Sequence, residues 1–332
     1  MPRFCLAVLV SIFITTSAFA QNNRSAVSLS GNDAASCTVP DPCRTFDVAI
    51  SKTNAGGEVI VLSSAGYGPF TVNKSVSIIS PPAYHAALAP ASGDAITVNV
   101  DNAVVVLRGL TLNGSFGGVN GITFTGAATA SNTRVYVENC VINGFSNNGV
   151  NFARNGMLFI SELVARENSN AVFVDGSAGL PSNASIDHAL MEGNVNNGLL
   201  IDNATVTIRD SVAEALDATN GSVGFYARAI SSGMTADLSA DNCQAAHNSY
   251  GFLSGGSNGA ARLMLSNSAA SANLASGIAV FSNGTVRASN NTVTRNQYGL
   301  YQSGGLFESR GNNTVRGNTV ETSGTITTFG PL

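Results

Sequence analysis

Apolar and polar residues alternate along most of the chain, in short runs that usually begin after a glycine. Residues 121–124 (GITF) and 198–201 (GLLI) show the pattern, with an apolar residue at the second and fourth positions. Alternation with a period of two places successive side chains on opposite faces of a β-strand. No ten-residue stretch within the series has the apolar spacing of a helix, so the pattern predicts an all-β chain.

The glycine-led strands recur at intervals of about 22 to 28 residues, a period typical of solenoids. A second alternating strand occupies each interval, as at residues 206–208 and 263–265, and residues 171–174 (AVFV) fill one long gap in the series. The regular leucine consensus of leucine-rich repeats is missing. The sequence therefore predicts a single solenoid of about ten coils over residues 58–321.

A polar residue, most often asparagine, follows the second strand at the same place in each period. Asparagine adopts left-handed backbone and bonds its own main chain, so this column predicts a stacked turn. The next position is small, and it holds Cys140 and Cys243 about four coils apart. At about 4.8 Å per coil these cysteines would lie about 19 Å from each other, beyond disulfide reach. The polar column consists of Asn139, Glu162, His188, Asp210, Asn242, Asn267, Asn290 and Asn312.

The first twenty residues have the order of a secretory signal. Arg3 precedes an apolar run at residues 6–14, and the small-residue motif AFA ends at Ala20. The run is too short to span a bilayer, and no later stretch is apolar enough to do so. The sequence predicts a signal peptide over residues 1–20, and a secreted or periplasmic protein without a membrane span once it is removed.

Two cysteines of the N-terminal part are close in sequence. Cys37 and Cys43 enclose the turn-rich segment TVPDP, and an exported protein meets oxidants. This spacing predicts a local disulfide. The histidines at 85, 188 and 247 are scattered, and no cysteines cluster beside them at zinc-site spacing, so no metal site is predicted.

The residues described so far resemble a known group. The asparagine column, the period and the glycine-led strands resemble the right-handed parallel β-helix of the pectin and pectate lyase-like superfamily. Residues 37–50, 56–62, 66–69 and 74–78 resemble an uncharacterised subgroup of secreted bacterial members. The resemblance covers nearly the whole mature chain. It implies a single right-handed parallel β-helix and, for function, a relation to saccharides.

The N-terminal segment also predicts a cover for the first coil. Thr45 can cap a short helix in which Phe46, Ala49 and Ile50 share one face, and solenoid ends need such a cover. We therefore divide the chain into the signal peptide (1–20), an N-terminal segment with the cysteine loop and a capping helix (21–57), the β-helix (58–321) and a C-terminal tail (322–332).

Composition narrows the choice of function. Charged residues make up 11% of the chain, less than half of the usual quarter, and the net charge is −4. A chain without a basic patch is a poor match for nucleic acid, so no nucleic-acid partner is predicted. The small number of charged residues also leaves few side chains that could serve in an active site.

One external face of the predicted β-helix carries apolar side chains at positions where a solvent-exposed strand would usually have Thr or Ser. Exposed apolar strips mark ligand or partner sites, and aromatic rings bind sugar faces, so this outer strip predicts contact with a polysaccharide or a cell-surface component. Two alternatives remain: loops near residues 176–183 and 215–221 cover the strip, or it joins copies of the chain as an oligomer face. The outer strip consists of Phe173, Leu200, Tyr226, Leu253 and Tyr301.

Asp175 and Asp202 occupy equivalent positions in neighbouring coils, which places their carboxylates about 5 to 8 Å apart, and Arg228 lies one coil further on. They are the candidate catalytic residues, either holding Ca²⁺ against a uronate with Arg228 as base, as in lyases of this fold, or serving as acid and base in hydrolysis. Alternatively, Asp202 pairs with Arg228 on a solvated face.

The catalytic signatures of pectin hydrolases of this fold do not occur. The chain has no Gly-His-Gly, no adjacent Asp-Asp and no Arg-x-Lys arrangement. The sequence therefore favours an exported, noncatalytic binding protein without a cofactor. A lyase or glycoside hydrolase acting on acidic glycans, with Ca²⁺ only in the lyase case, is the first alternative, and a structural or oligomerising surface protein is the second.

Overall fold

The computed structural model describes residues 22–125, 132–176, 182–215 and 221–330. The predicted signal peptide lies outside these residues. Within them, the chain forms parallel strands and one short helix, α1 (Phe46–Lys52). None of the helices in these ranges is long and apolar enough to cross a membrane.

The strands are short and follow one another with brief turns. The first are β1 Asn22–Val27, β2 Thr53–Val61, β3 Ala65–Gly66, β4 Phe70–Val72, β5 Val76–Ile79, β6 Ala86–Leu88, β7 Ile96–Val98, β8 Val104–Arg108, β9 Leu110–Asn113, β10 Ile122–Phe124 and β11 Arg134–Glu138. The next are β12 Val141–Asn143, β13 Asn148–Phe152, β14 Gly156–Arg166, β15 Asn170–Asp175, β16 Ser182–Glu192, β17 Asn197–Asp202, β18 Thr205–Arg209, β19 Val212–Glu214, β20 Val223–Ala229, β21 Thr235–Asp241 and β22 Gln244–Ala246. The last are β23 Tyr250–Gly256, β24 Ala260–Ser266, β25 Ala269–Ser271, β26 Ser276–Phe281, β27 Gly284–Ser289, β28 Thr292–Thr294, β29 Tyr298–Ser303, β30 Leu306–Ser309, β31 Thr314–Val315, β32 Val320–Ser323 and β33 Ile326–Thr328.

Successive coils stack by parallel pairing into two sheets. The first sheet takes a long and a short strand from a typical coil, such as β18 and β19, which pair with β21 and β22 of the next coil. The second sheet takes the glycine-led strand, and its order runs from β4 through β15, β17, β20, β23, β26 and β29 to β32. An all-β parallel helix of about ten coils, with a single short helix among the described residues, is thus confirmed.

A residue with left-handed backbone conformation bends the chain between the long and short strands of the first sheet. Seven of the eight residues in the predicted polar column have positive φ, from +50° at Asn139 to +56° at Asn290. Their amides bond from coil to coil, as from Asn290 Nδ2 to Asn267 Oδ1 at 2.7 Å. Asparagine tolerates this backbone better than most residues, which explains its frequency there.

A second asparagine ladder, inside the coil, was not predicted. Each member lies two or three residues before the first residue of a strand of the second sheet, where it looks like an ordinary turn residue. Its side chain instead points inward and bonds the main chain of neighbouring coils, as from Asn194 Nδ2 to the Ala165 carbonyl at 3.1 Å. Buried amides of this kind are fully paired. The fully buried members are Asn168, Asn194, Asn248, Asn273 and Asn296.

The N-terminal end is covered as the fold requires, with one correction to its details. Cys37 and Cys43 form the predicted disulfide, with Cα atoms 4.6 Å apart. Phe46 of α1 packs on Phe70, with ring centroids 4.6 Å apart. Thr45 does not cap the helix with its side chain, because its hydroxyl donates to Asp33 at 3.1 Å.

The sheets extend beyond the predicted limits of the β-helix. Strand β1, in the segment assigned as residues 21–57, pairs in parallel with β2. Strand β33, in the predicted tail, pairs in parallel with β30. Both terminal segments therefore contribute strands to the stack.

The two remaining cysteines of the described chain are buried and unreactive by their environment. Burial raises the pKa of the Cys140 thiol to about 11 and that of Cys243 to about 12. Because the thiolate is the reactive form, about 0.1% or less of each thiol is in its reactive form at pH 8.

We expect no labelling of either thiol by iodoacetamide in the folded protein beginning at residue 21, and two labels per chain after unfolding, measured by mass spectrometry. Labelling of the folded protein within minutes would contradict this environment.

Candidate functional site

The residues of the predicted outer strip lie in one column on the outside of the second sheet. Phe173 of β15 pairs in register with Leu200 of β17, which pairs with Tyr226 of β20. The column continues through Leu253 of β23, and then through Ala279 of β26 to Tyr301 of β29. The structure therefore brings all five predicted strip residues together in the expected order.

The two leucines of the outer strip are less exposed to solvent than the sequence predicts. Leu200 and Leu253 are only 6% and 3% exposed, whereas Phe173, Tyr226 and Tyr301 are half-buried. Leu253 belongs to a small hydrophobic cluster outside the sheet, on which Tyr226 and Tyr301 pack. The leucines form the floor of the surface, and the more exposed rings lie around them.

Three further aromatic residues join this surface and were not among the predicted site residues. Phe281 meets Tyr250 edge to face at a centroid distance of 5.7 Å and Tyr301 at 6.1 Å. Tyr298 stacks on Tyr301 at 5.0 Å. Tyr250 and Tyr298 are the first residues of β23 and β29, directly before the glycine of the repeat, a position that gives no signal for the outer face. We call Tyr226, Tyr250, Phe281, Tyr298 and Tyr301 the aromatic cluster.

The three candidate catalytic residues occupy a second column beside the strip. Asp175 pairs in register with Asp202, and Asp202 with Arg228. Arg228 donates from Nε and Nη2 to the two carboxylate oxygens of Asp202, both at 2.6 Å. The Asp202 side chain is 3% exposed and that of Arg228 36% exposed. The predicted ion pair forms, but its carboxylate is buried and does not lie on a solvated face.

The charges of this column act on one another. The hydrogen-bonded Asp202 carboxylate raises the pKa of the Arg228 guanidinium, and Asp175 contributes in the same direction. Arg228 also lies 5.9 Å from the centre of the Tyr226 ring. Burial raises the pKa of the Tyr226 hydroxyl. At neutral pH the arginine is thus a fixed cation and the tyrosine a neutral hydroxyl.

An open groove lies between the charged column and the aromatic cluster. Gly255 follows Arg228 in the second column, and a Cβ at this position would lie only 3.1 Å from the Cβ of Phe281. The groove has a volume of about 390 Å³, and its walls include Tyr226, Arg228, Ile230 and Phe281. Volumes of about 300 to 1,000 Å³ are typical of small-ligand sites. The predicted covering loops fall largely on residues 177–181 and 216–220, which lie outside the described residues.

The Asp202 carboxylate does not suit Ca²⁺. Ca²⁺ is held by six to eight oxygens, and a carboxylate must turn its oxygens toward the ion. Both oxygens of Asp202 already accept from Arg228. A cation would therefore have to displace the guanidinium from a buried partner.

A second group of potential metal ligands lies at the bend of the first sheet. The ligand atoms of Asp187, His188 and Asp210 lie within 4.8 Å of one another. Arg209 donates to Asp187 at 2.7 Å and lowers the pKa of that carboxyl, while Asn242 donates to Asp210 at 2.5 Å. The group is satisfied by protein donors and is best described as part of the turn.

Parallel coils, an inner asparagine ladder and a helix-capped end define the chain as a parallel β-helix. No protein-family model matches the chain. No curated protein matches it either.

Solved structures with this fold are similar over most of the chain. The alginate lyase from Paenibacillus sp. str. FPU-7 is 13% identical, with a TM-score of 0.63 over 85% of this chain and 99% of the other. The A-module of the mannuronan C-5 epimerase AlgE6 from Azotobacter vinelandii is 14% identical, with a TM-score of 0.58 over 86% and 95%. The pectate lyase Pel9A is 16% identical, with a TM-score of 0.56 over 93% and 80%. At these identities the similarity establishes the fold alone.

Proposed function

We propose that this protein is exported and binds a polysaccharide through the aromatic cluster and the adjoining groove, without cleaving it. The observation that carries the proposal is the half-buried aromatic cluster beside an open groove on the outside of the second sheet. Rings held in this way present flat apolar faces to sugar C–H groups at little entropic cost. The polysaccharide-acting neighbours of the same fold support this class of ligand.

The state of the charged residues supports binding over catalysis. A hydrolase needs two carboxyl groups that are free to exchange protons with the substrate, but Asp202 is buried and bonded at both oxygens. A lyase needs a base that can lose its proton. Ion pairing with Asp202 raises the already high pKa of Arg228 and so opposes this role.

Export is supported by two observations. The first twenty residues carry the predicted signal sequence. The Cys37–Cys43 disulfide is of a kind that persists in oxidising compartments. N-terminal sequencing of protein recovered outside the cytoplasm tests this part of the proposal, with Gln21 as the expected first residue.

Replacing Phe281 by alanine is expected to weaken polysaccharide binding about tenfold, because the ring forms one wall of the groove and contacts two members of the cluster. The measurement is calorimetry with a panel of cell-wall oligosaccharides. Tyr136→Ala is the matched control, because Tyr136 stacks on Phe159 at 4.7 Å on the other sheet. It should leave the affinity unchanged.

Three outcomes would count against the proposal. No binding by the unmodified protein at millimolar oligosaccharide would remove the ligand class. Equal losses in Phe281→Ala and Tyr136→Ala would place the binding surface elsewhere. The appearance of new reducing ends or of unsaturated-uronide absorbance would show that the protein is an enzyme.

A further inference from the structure

We infer that Arg228 is the polar anchor of the groove and that the free edge of its guanidinium binds two adjacent hydroxyl groups of a sugar ring. The inference rests on the proposed function and specifies which part of the ligand is recognised. It starts from the lining of the groove, in which Arg228 is the one charged residue among the described residues. Phe281 and Tyr226 line the same groove with aromatic rings.

One edge of the Arg228 guanidinium is occupied and the other is free. A guanidinium has five N–H groups in a fixed fork, with one pair of donors at the edge formed by Nε and Nη2 and a second pair at the edge formed by Nη1 and Nη2. The first edge donates to both oxygens of the Asp202 carboxylate, at 2.6 Å each. Within the described part of the chain, the remaining N–H groups of Arg228 donate to no other residue.

The free edge lies at the groove. The Asp202 side chain is 3% exposed, whereas that of Arg228 is 36% exposed and lines the groove. The exposed part of the guanidinium is therefore the edge that Asp202 does not use. Because the bidentate bond to Asp202 fixes the plane of the guanidinium, the free edge needs little further ordering when it binds a ligand.

Two adjacent hydroxyl oxygens of a pyranose match this edge. A pair of parallel donors binds two neighbouring oxygen atoms at once, and the sugar ring that carries them can rest its apolar face on an aromatic side chain. The guanidinium carbon of Arg228 lies 5.9 Å from the centre of the Tyr226 ring, so one sugar residue can reach both. The other polar side chains among the described lining residues are hydroxyls, on Tyr226, Ser257 and Ser282, and they can accept from the same sugar.

A carboxylate also has two neighbouring oxygens and is the alternative ligand for this edge. Asp202 already balances the charge of Arg228, and the described lining of the groove contains no second cation. An anion therefore gains less here than at an unpaired arginine, whereas a hydroxyl pair needs only the two donors.

The test removes one hydroxyl of the pair from the sugar and the free edge from the protein. The probes are cellotetraose, xylotetraose, mannotetraose and tetragalacturonate, whose inner residues each carry two adjacent free hydroxyls. Each probe is compared by calorimetry with a tetramer whose inner residues lack one of these two hydroxyls. For at least one probe, we expect the loss of the hydroxyl to weaken binding about tenfold, because a hydrogen bond from a charged donor is lost.

Arg228→Lys should abolish this dependence on the hydroxyl. Lysine keeps a positive charge beside Asp202, but it has no second pair of parallel donors. The ratio between the affinities of the two tetramers should therefore fall to about two or less. Phe281→Ala should weaken binding of both tetramers and leave the ratio at about ten, because the ring contacts a different part of the sugar. Arg262→Lys, at an exposed ion pair of the first sheet, should change neither the affinity nor the ratio.

The outcomes separate the inference from the proposed function. A ratio that stays at about ten in Arg228→Lys overturns the inference and leaves polysaccharide binding in place. Equal binding of both tetramers by the unmodified protein does the same, including the case in which tetragalacturonate binds through its carboxylates alone. No binding of any tetramer by the unmodified protein counts against both.

A second variant keeps the inference testable if Arg228→Lys does not fold. Because that change alters a buried pair, its unfolding midpoint is measured in parallel. The double variant Asp202→Asn and Arg228→Gln removes the free edge without leaving a charge buried and unpaired. Its ratio between the two tetramers should also fall to about two or less, and a ratio of about ten would overturn the inference.

Discussion

Replacing Asn194 by alanine is expected to lower the free energy of unfolding by about 3 kcal/mol. Asn194 is fully buried, and its Oδ1 accepts from the main-chain N–H of Asn168 at 3.0 Å and from its side chain at 3.1 Å. Its Nδ2 donates to the Ala165 carbonyl at 3.1 Å. Alanine removes all three of these hydrogen bonds inside the coil, and each buried group that is left without a partner costs about 1 to 3 kcal/mol.

The control for this prediction lies two residues away in the same turn. Asn196 is exposed, and its amide donates to the Ser169 hydroxyl at 2.8 Å. Asn196→Ala should change the free energy of unfolding by no more than about 0.5 kcal/mol. Urea unfolding followed by circular dichroism measures both variants. A similar loss in both would show that the inner ladder contributes no more than a surface amide.

The contrast between these residues explains how much of the fold the sequence could predict. The outer asparagine column follows the second strand of each coil, and its left-handed backbone requirement can be inferred from residue type. Asn194 and Asn196 both belong to a short polar stretch before a strand. Which of them turns inward depends on how the coil closes against its neighbours, and neither composition nor alternation contains that information.

The candidate site also has one feature that the sequence could predict and one that it could not. The pairing of Asp202 with Arg228 could be predicted, because equal positions in adjacent coils of a parallel stack lie side by side. The burial of Leu253 could not, because it depends on Tyr250 and Phe281, whose rings come from different columns and pack over the strip. Period and register are sequence properties, whereas coverage of a surface depends on side-chain packing between coils.

Replacing Arg228 by alanine is expected to lower the free energy of unfolding by about 3 kcal/mol. The reason is the partner left behind, since the Asp202 carboxylate is 3% exposed and loses two hydrogen bonds of 2.6 Å. Removing one member of a buried pair costs about 3 to 5 kcal/mol, and the partial exposure of Arg228 places this case at the lower end.

The first sheet contains an ion pair of similar geometry that is exposed to solvent. Comparing the two pairs distinguishes the effect of burial on stability from the effect of charge. Arg262 donates to Asp237 through the same two nitrogen positions, at 2.5 and 2.8 Å, but the two side chains are 50% and 35% exposed. Arg262→Ala should therefore cost less than about 1 kcal/mol in the same urea unfolding experiment. In the double variant Asp202→Asn and Arg228→Ala, part of the lost stability should return, because no charge remains buried without a partner. Equal losses for Arg228→Ala and Arg262→Ala would mean that solvent reaches Asp202 and that burial does not add to the strength of this ion pair.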